Sequence, residues 1–419
     1  MRVYKFGGAS VKDADAVKNV ATILMQFGGN ELLIVVSAMG KTTNALELLA
    51  NAYFENSAEK YAIYKQVKDF HNDIINGLLN TNTGHAYDDI ENLFIELECL
   101  LEDEPEDSFD QVYDQIVSYG EIFSTRIIST YLNEVGIKNR WMDCRNFIAT
   151  DNTYRNAVID WELTSKKIAH KLQPIVKKQM VVTQGFIGMN RDNYTTTLGR
   201  EGSDYSAAIF AFGLNAEGVT IWKDVDGVMN ADPKFFKDAV KINKLSYPKA
   251  IEMAYYGATV IHPKTIQPLQ NKGIPLYVKS FKNPQSEGTV VGIDNGTEGQ
   301  FPVYIFKQNQ VLISISSKDF SFIVEHHLSE IFSVFAECKI NINLMQNSAI
   351  SFSVCADYND EKLLKLNKAL SNKFIISENA GVKLLTISNY NSSIIKELTS
   401  DYKILLEQRT NNYVQFALI

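Results

Sequence analysis

The sequence is poor in cysteine: four are scattered over 419 residues, at Cys99, Cys144, Cys338 and Cys355. They form neither a metal spacing nor a disulfide framework, which reads as reduced, mostly buried thiols in a cytoplasmic chain. No apolar run reaches the ~18 residues of a membrane span. The N-terminus is a strand leading to a Gly turn, not a signal peptide. An excess of basic charge is also missing. Lys and Arg number 41 against 49 Asp and Glu, a net charge of −8, which argues against a nucleic-acid partner. Only six histidines are present. The adjacent pair His326-His327 has no acidic or Cys partners in a fitting pattern and reads as a solvated helix start. The eight-residue Gly-to-Lys-Ser/Thr spacing of a P-loop is absent.

What remains is ordinary soluble globular composition, 45% hydrophobic and 21% charged, in a chain too long for one core, so two or three domains are expected. The most informative stretch runs from Thr197 to Ala208: a Gly-rich turn carrying Arg200, Ser203 and Asp204 that enters an apolar helix. Backbone N–H groups at such a helix start favour anions. Arg200 adds a fork that fits a carboxylate or phosphate. Two other segments share its grammar. The strand Arg2-Val3-Tyr4 leads into Lys5-Phe6-Gly7-Gly8-Ala9-Ser10, and the strand Leu32 to Val36 leads into Ser37 to Asn44. Strand, small residues, helix start is how open α/β sheets bind phosphorylated ligands at strand ends.

The spacing predicts strand, helix, strand, helix over 1–50 and helices over 51–135, with a solvated acidic loop at Glu102 to Asp107. Strands and helices then alternate over 140–290, clearest at Gln179 to Thr183, Gly218 to Trp222 and Leu276 to Lys279, which implies a mostly parallel sheet between helices. Asn283 to Gln300 reads as a linker. Beyond it comes a βαββαβ unit: strand Val311 to Ser316, helix Leu328 to Cys338, strands Ile340 to Met345 and Ile350 to Ala356, helix Glu361 to Leu370 and a strand at Phe374 to Ile376. A second, shorter unit runs from Val382 to Leu418. Phe301 to Phe306 is expected to supply its missing strand, nesting the first unit in the second; a single truncated domain is the alternative.

Read in order, these segments resemble the aspartate kinase branch of the amino acid kinase family. The resemblance is carried by Lys5 to Val11, Val35-Val36-Ser37-Ala38, Ser118 to Ser124, Thr183 to Gly188, Thr197 to Asp204, Trp222 to Val228 and Tyr256 to Pro263. The remainder resembles the family's paired ACT regulatory domains. The implied fold class is α/β: an amino acid kinase domain over 1–290, then two ferredoxin-like ACT units over 301–419. The first unit, 311–378, is inserted in a second built from 301–307 and 381–419. The implied reaction moves the γ-phosphoryl group of ATP, carried with Mg²⁺, to the side-chain carboxylate of L-aspartate. No dinucleotide-binding extension follows, so a monofunctional kinase is expected. A kinase for glutamate or carbamate and a catalytically inactive amino-acid sensor are the competing readings.

The resemblance also implies roles. Lys5 and Asp204 are the catalytic candidates: Lys5 stabilises the moving phosphoryl group and Asp204 organises Lys5 and the reacting groups, with a helix N-cap as its structural alternative. Ser37, Thr43, Glu121, Arg200 and Ser203 are the aspartate candidates, Glu121 for the ammonium and Arg200 for a carboxylate. Gly7, Gly8, Ser10, Lys5, Lys223, Asp224, Met229, Lys234, Thr259 and Val260 are the nucleotide candidates. Met229 stands where relatives often carry an aromatic residue, and Thr259 where they often carry Lys. Glu201 replaces a common Gly and would be costly at positive φ. His262-Pro263 reads as structural. No dedicated protein cage is expected for Mg²⁺. A lysine or threonine effector is implied near Ser321, Asn341, Ile342, Asn343, Asn347 and Ser348, across a homodimer or larger homo-oligomer joined through the ACT units. Lysine-binding relatives often carry an acid where Asn343 stands, so both effectors stay open.

Overall fold

The computed structural model describes residues 1–79, 84–258, 260–293, 301–319 and 321–419. Contacts divide the chain into two compact units. The first contains 1–228, 241–251 and 260–298; the second contains 229–240, 252–259 and 299–419. The segments 229–240 and 252–259 therefore cluster with the second unit although they precede residue 290. Within that unit, the Tyr304 N–H donates to the Asn230 carbonyl at 2.8 Å, and the rings of Phe236 and Tyr304 stack 5.4 Å apart.

The elements up to residue 292 follow in order. β1 (Arg2–Phe6), α1 (Ala14–Phe27) and β2 (Leu32–Val36) come first. Five helices follow: α2 (Thr42–Phe54), α3 (Glu59–Leu78), α4 (Gly84–Glu102), α5 (Phe109–Val117) and α6 (Tyr119–Glu134). Then come β3 (Asn139–Trp141), α7 (Trp161–Lys167), α8 (Gln173–Val176), β4 (Met180–Gln184), β5 (Ile187–Met189), β6 (Thr195–Thr197), α9 (Gly202–Leu214) and β7 (Val219–Lys223). β8 (Lys244–Ser246), α10 (Tyr247–Tyr256), α11 (Pro263–Lys272), β9 (Leu276–Ser280) and β10 (Thr289–Gly292) close the series. The main sheet has the order β3-β4-β2-β1-β7-β9-β10-β8 and is parallel from β3 to β9.

β10 corrects the linker expected over 283–300, whose residues 294–300 lie outside the described residues. Thr289-Val290-Val291 is a β-branched run, and it pairs antiparallel with β9 and parallel with β8. Gly and polar neighbours hid three good strand residues.

Parallel strands buried on both faces read as continuous apolar runs. β2 is Leu-Leu-Ile-Val-Val, every residue buried. The register aligns Phe6 with both Val36 and Trp222, and Val36 with Gln184. Four strand ends therefore share one rim. Strand order reverses at β1, which places the rim at a topological switch point, the usual ligand position in such sheets.

The helical insert carries a titratable core residue. His71 in α3 is fully buried against Phe94 and Phe123, and its Nδ1 lies 2.7 Å from the Val67 carbonyl. Nδ1–H donates there, leaving Nε2 without a partner among the described residues. Burial pulls the imidazole down to about 4 from an ordinary 6.5. Below pH 6.5 the unfolded chain takes up a proton that the folded chain refuses. Stability is therefore expected to fall by about 3 kcal/mol between pH 6.5 and pH 4 on this account. Urea unfolding of the unaltered chain and of His71→Leu across that range checks it; parallel pH dependence in the two proteins would remove His71 as the cause.

The second unit is a six-stranded antiparallel sheet. Its elements are β11 (Val303–Ser317), α12 (Glu325–Glu337), β12 (Ile342–Asn347), β13 (Ser351–Asp357), α13 (Asp360–Leu370), β14 (Phe374–Ser388), α14 (Ser392–Thr399), β15 (Ile404–Arg409) and β16 (Tyr413–Leu418), in the strand order β12-β13-β11-β14-β16-β15. The strands expected at Phe301 to Phe306 and Val311 to Ser316 are one continuous β11, and those at Phe374 to Ile376 and from Val382 are one β14. The two run antiparallel with a register shift between Lys307 and Gln310, where Asn309 takes φ +55°. The C-terminal half of β11, α12, β12, β13, α13 and the first half of β14 make a βαββαβ unit. Its core joins Ile313 and Ile315 to Phe335 and Leu366. The outer halves of β11 and β14 continue with β16 and β15 under Ile394 and Leu398 of α14.

Candidate active site

A cleft of about 610 Å³ opens at the shared rim of β1, β2 and β7. Each expected motif supplies part of its wall. The turn after β1 passes under the turn after β2, and a Cβ at Gly8 would lie 2.9 Å from the carbonyl oxygens of both Ala38 and Gly40. Only glycine allows that approach. Gly7 also lines the cleft, beside the Lys5 ammonium. Ser10 lines it as well, but its hydroxyl donates to the Trp222 carbonyl at 3.3 Å, tying the turn to β7.

At the centre lies an ion triad. Lys5 Nζ is 2.5 Å from Asp204 Oδ1, and Lys223 Nζ is 3.0 Å from Asp204 Oδ2. Asp204, in the first turn of α9, is wholly buried. Burial raises a carboxyl's pKa, but here Lys5 and Lys223 outweigh it and hold Asp204 below the ordinary range. Burial opposes the Lys223 ammonium too, and Asp204 and Glu201 overcome it, so its pKa rises. The N-cap of α9 is Glu201, not Asp204, and it makes no side-chain cap. Lys223 Nζ also donates to the Val260 carbonyl at 2.6 Å, and Asp224 lies beside it in the wall.

The same cleft is lined by Glu121, in the first turn of α6 and 2% exposed. The Ala38 N–H donates to its Oε1 at 3.2 Å, while Oε2 is buried with no partner among the described residues. Burial dominates and pushes this carboxyl up to about 8, against the Ala38 bond and Lys5. A buried oxygen without a donor, facing a cleft, is a receptor for a cation. Ser37, Thr43, Arg200 and Ser203 line the same cavity. Ser37 is fixed through its carbonyl, which accepts from Ser124 Oγ at 2.7 Å.

Met229 and Lys234 belong to the second unit, and Thr259 lies outside the described residues. His262 caps α11, its Nδ1 accepting from the Lys264 N–H at 3.2 Å. The effector candidates separate. The Ile323 N–H donates to the Ala349 carbonyl, which brings the Ser321 loop to the turn after Asn347 and Ser348. Asn341, Ile342 and Asn343 sit at the opposite end of β12, about 17–20 Å along a strand of that length. There the Asn343 amide is engaged by Lys307 (2.9 Å), Gln310 (2.8 Å) and Asp357 (3.1 Å).

Three wall residues fall outside every segment that marked the site: Glu47, Tyr113 and Arg155. Glu47 was within reach, since it follows Thr43 by one helical turn. Nothing near Arg155 in the sequence marks it.

Glu201 does occupy the left-handed region, at φ +56°, which costs an L-residue about 1–2 kcal/mol. Glu201→Gly is expected to raise unfolding stability by ~0.5–1 kcal/mol after glycine's own entropy cost, and Glu201→Val to lower it. Denaturant midpoints for the two variants decide it, and a destabilised Gly variant would mean the Lys223 contact outweighs the backbone.

Three comparisons bear on this geometry. A model described as the amino acid kinase family matches residues 1–280. "Lysine-sensitive aspartokinase 3" of Escherichia coli (strain K12) is 32% identical over 355 residues, 85% of this chain and 78% of that one. Two solved structures of E. coli aspartokinase III, one with aspartate and ADP (R-state) and one with lysine and aspartate (T-state), each give a TM-score of 0.84. Their identities are 29% and 28%, and the alignments cover all of this chain and 96% and 95% of theirs. Longer Arabidopsis thaliana relatives at 31% and 32% identity are spanned over 42% and 63% of their length. Among the described residues, no helix is long and apolar enough to cross a membrane.

Proposed function

The chain belongs to the amino acid kinase family, and from that premise we propose that it is an aspartate kinase, transferring the γ-phosphoryl group of ATP to the side-chain carboxylate of L-aspartate. One observation carries the reading. A single cleft holds an ammonium pinned by a buried carboxylate beside two glycines, and a second buried carboxylate with an unused oxygen.

An acceptor carboxylate is already ionised at neutral pH and needs no general base. The barrier is the approach of one anion to another, so positioning and cationic stabilisation do the catalysis. Lys5 meets the phosphoryl group. Asp204 stays anionic and holds Lys5 and Lys223 in fixed directions. Gly7 and Gly8 let backbone approach the phosphates, and the N–H groups opening α9 favour the same anion. Glu121 takes the substrate ammonium. Arg200, Ser203, Ser37 and Thr43 take its carboxylates. Asp224 and Val260 are assigned to the nucleotide.

Mg²⁺ enters with ATP. Among the described residues no group of three or more His, Cys, Asp or Glu could hold an ion, and both Asp204 oxygens face lysines. The chain's donors fit an ion held by phosphates and water, where it shields phosphate charge.

Residues 1–290 are the catalytic domain in this reading, and 301–419 form two nested ACT units that sense an amino acid. Lysine is the favoured effector, because the relatives include a lysine-sensitive enzyme and a lysine complex. The Ser321 loop with the Asn347–Ser348 turn is the favoured contact. The exposed edges β12 and β15 suit association of two chains. The four cysteines are free, which accords with a cytoplasmic site, but only Cys144 and Cys355 are buried; Cys338 is half-buried and Cys99, expected to be shielded like the rest, is exposed.

The test is ADP release with Mg-ATP and L-aspartate against L-glutamate, with lysine or threonine added. Aspartate-dependent release that lysine suppresses is expected. Release with glutamate instead would move the reading to another acid, and none with either would leave a sensor.

A further inference from the structure

We infer that Arg155 is a carboxylate-binding residue of the aspartate half of the cleft, held in the empty site by Glu47 and delivered beside Arg200 by the buried Asp114. The inference rests on the aspartate kinase reading and deepens it.

Arg155 takes φ +63°, a conformation a bulky L-residue keeps only where its surroundings over-determine it. Its backbone N–H is held by one side chain. Asp114, on α5 and fully buried, accepts the Arg155 N–H on both oxygens, at 3.1 and 3.0 Å. The same carboxylate accepts the N–H and the hydroxyl of Thr197, at 2.8 and 2.7 Å. Thr197 opens the turn that carries Arg200. The two turns also abut: at Gly199, φ +77°, a Cβ would lie 2.7 Å from Asn156 Oδ1 and 3.2 Å from the Arg155 carbonyl. Asp114 thus sets the spacing between two arginine-bearing loops on one wall of the cleft.

The Arg155 guanidinium is aimed by its neighbours. It lies 4.2 Å above the Tyr113 ring, with Nη2 3.3 Å from Glu47 Oε1 and Nη1 3.5 Å from Asp110 Oδ1. Glu47 follows Thr43 by one turn on the same face of α2, and Arg155, Glu47 and Thr43 all line the cavity. The fork therefore meets the face of α2 that carries a hydroxyl already assigned to substrate. Arg155 and Glu47 are 40% and 43% exposed, so their pair is weak and exchangeable. An incoming carboxylate can take the fork in bidentate geometry. Glu47 then has two effects: it occupies Arg155 in the empty enzyme, and its charge opposes a dicarboxylate.

Opposite signs make the test. At saturating Mg-ATP, Arg155→Gln is expected to raise the aspartate KM about 10–100-fold, the worth of a charge-assisted pair, with the ATP KM within twofold. Arg155→Lys should recover only part, because an ammonium lacks the fork. Glu47→Gln should lower the aspartate KM several-fold. The loop is held through the Arg155 backbone, which the Gln variant keeps, and thermal melting checks that it folds. A purely structural pair would instead move both variants in one direction and disturb both KM values. An unchanged aspartate KM in Arg155→Gln, or a raised one in Glu47→Gln, overturns the assignment alone. Absence of aspartate turnover in the unaltered chain overturns the functional reading and this inference with it.

Discussion

Replacing Lys5 with Ala is expected to lower kcat by about 10³–10⁴-fold, the loss seen when a cation or preorganised donor is withdrawn from a phosphoryl or acyl transition state. The expectation comes from how the ammonium is held. Lys5 is 6% exposed and anchored 2.5 Å from a carboxylate that carries no solvent exposure. Little reorganisation is then needed as charge develops on the phosphoryl group. The aspartate KM should change little, since Glu121 and Arg200 remain. Removing Lys5 also leaves Asp204 with one cation in place of two. The stability loss should stay below the ~3–5 kcal/mol of an isolated buried pair, because Lys223 still faces Oδ2 at 3.0 Å. Asp204→Asn should cost nearly as much kcat, and the double variant little more than either alone, since residues that act as a unit do not add. Single-turnover rates with Mg-ATP and aspartate, beside melting curves, give the answer. A kcat within tenfold of the unaltered enzyme would place the phosphoryl group elsewhere. A variant that still binds lysine while losing turnover would separate catalysis from sensing.

Much of this cleft was legible because its parts are local. Lys5 with Gly7 and Gly8, Ser37 with Thr43, and Arg200 with Ser203 and Asp204 each sit where a strand gives way to small residues and a helix. That grammar survives without knowledge of tertiary contacts. The Asp204–Lys5 link came with the resemblance; the second lysine on Asp204, Lys223, depends by contrast on β7 lying beside β1, which is set by sheet order. Arg155 and Asp114 were invisible for the same reason. Asp114 reads as an ordinary polar position on a helix, and its four hydrogen bonds come from residues 41 and 83 positions away. β10 was missed because turn residues surround it, and β11 and β14 were divided because polar residues and Gly381 interrupt their alternation at the register shift. The effector candidates were grouped by the resemblance, and the extended β12 carries Asn341 to Asn343 and Asn347 to Ser348 to opposite ends.

Glu121→Gln is expected to raise the aspartate KM by about 10²-fold at pH 8, by removing a charge-assisted bond to the ammonium. It should also abolish a pH dependence that the unaltered enzyme shows. In the empty cleft Glu121 is pushed up to about 8 by burial, so near pH 7 it is mostly protonated. Folded pKa above unfolded means that the empty enzyme is favoured by protonation. The stability this provides is full below the ordinary carboxylate range and is lost as pH rises through about 8. An arriving ammonium reverses the preference, because it stabilises the carboxylate. Binding must then release a proton, and by linkage raising the pH must tighten binding. If only the ionised form accepts substrate, the aspartate KM falls on the order of tens-fold between pH 6 and pH 8. Over that range neither substrate carboxylate titrates, and the substrate ammonium stays charged. Calorimetry of aspartate binding at pH 7 in two buffers of different ionisation enthalpy measures the released proton directly, with Glu121→Gln as the protein that should release none. A KM that is flat from pH 6 to 8 in the unaltered enzyme, with no buffer dependence of the heat, would mean that Glu121 is already ionised in the empty cleft. Its charge would then be supported by more than the Ala38 bond and the Lys5 charge that act on it among the described residues.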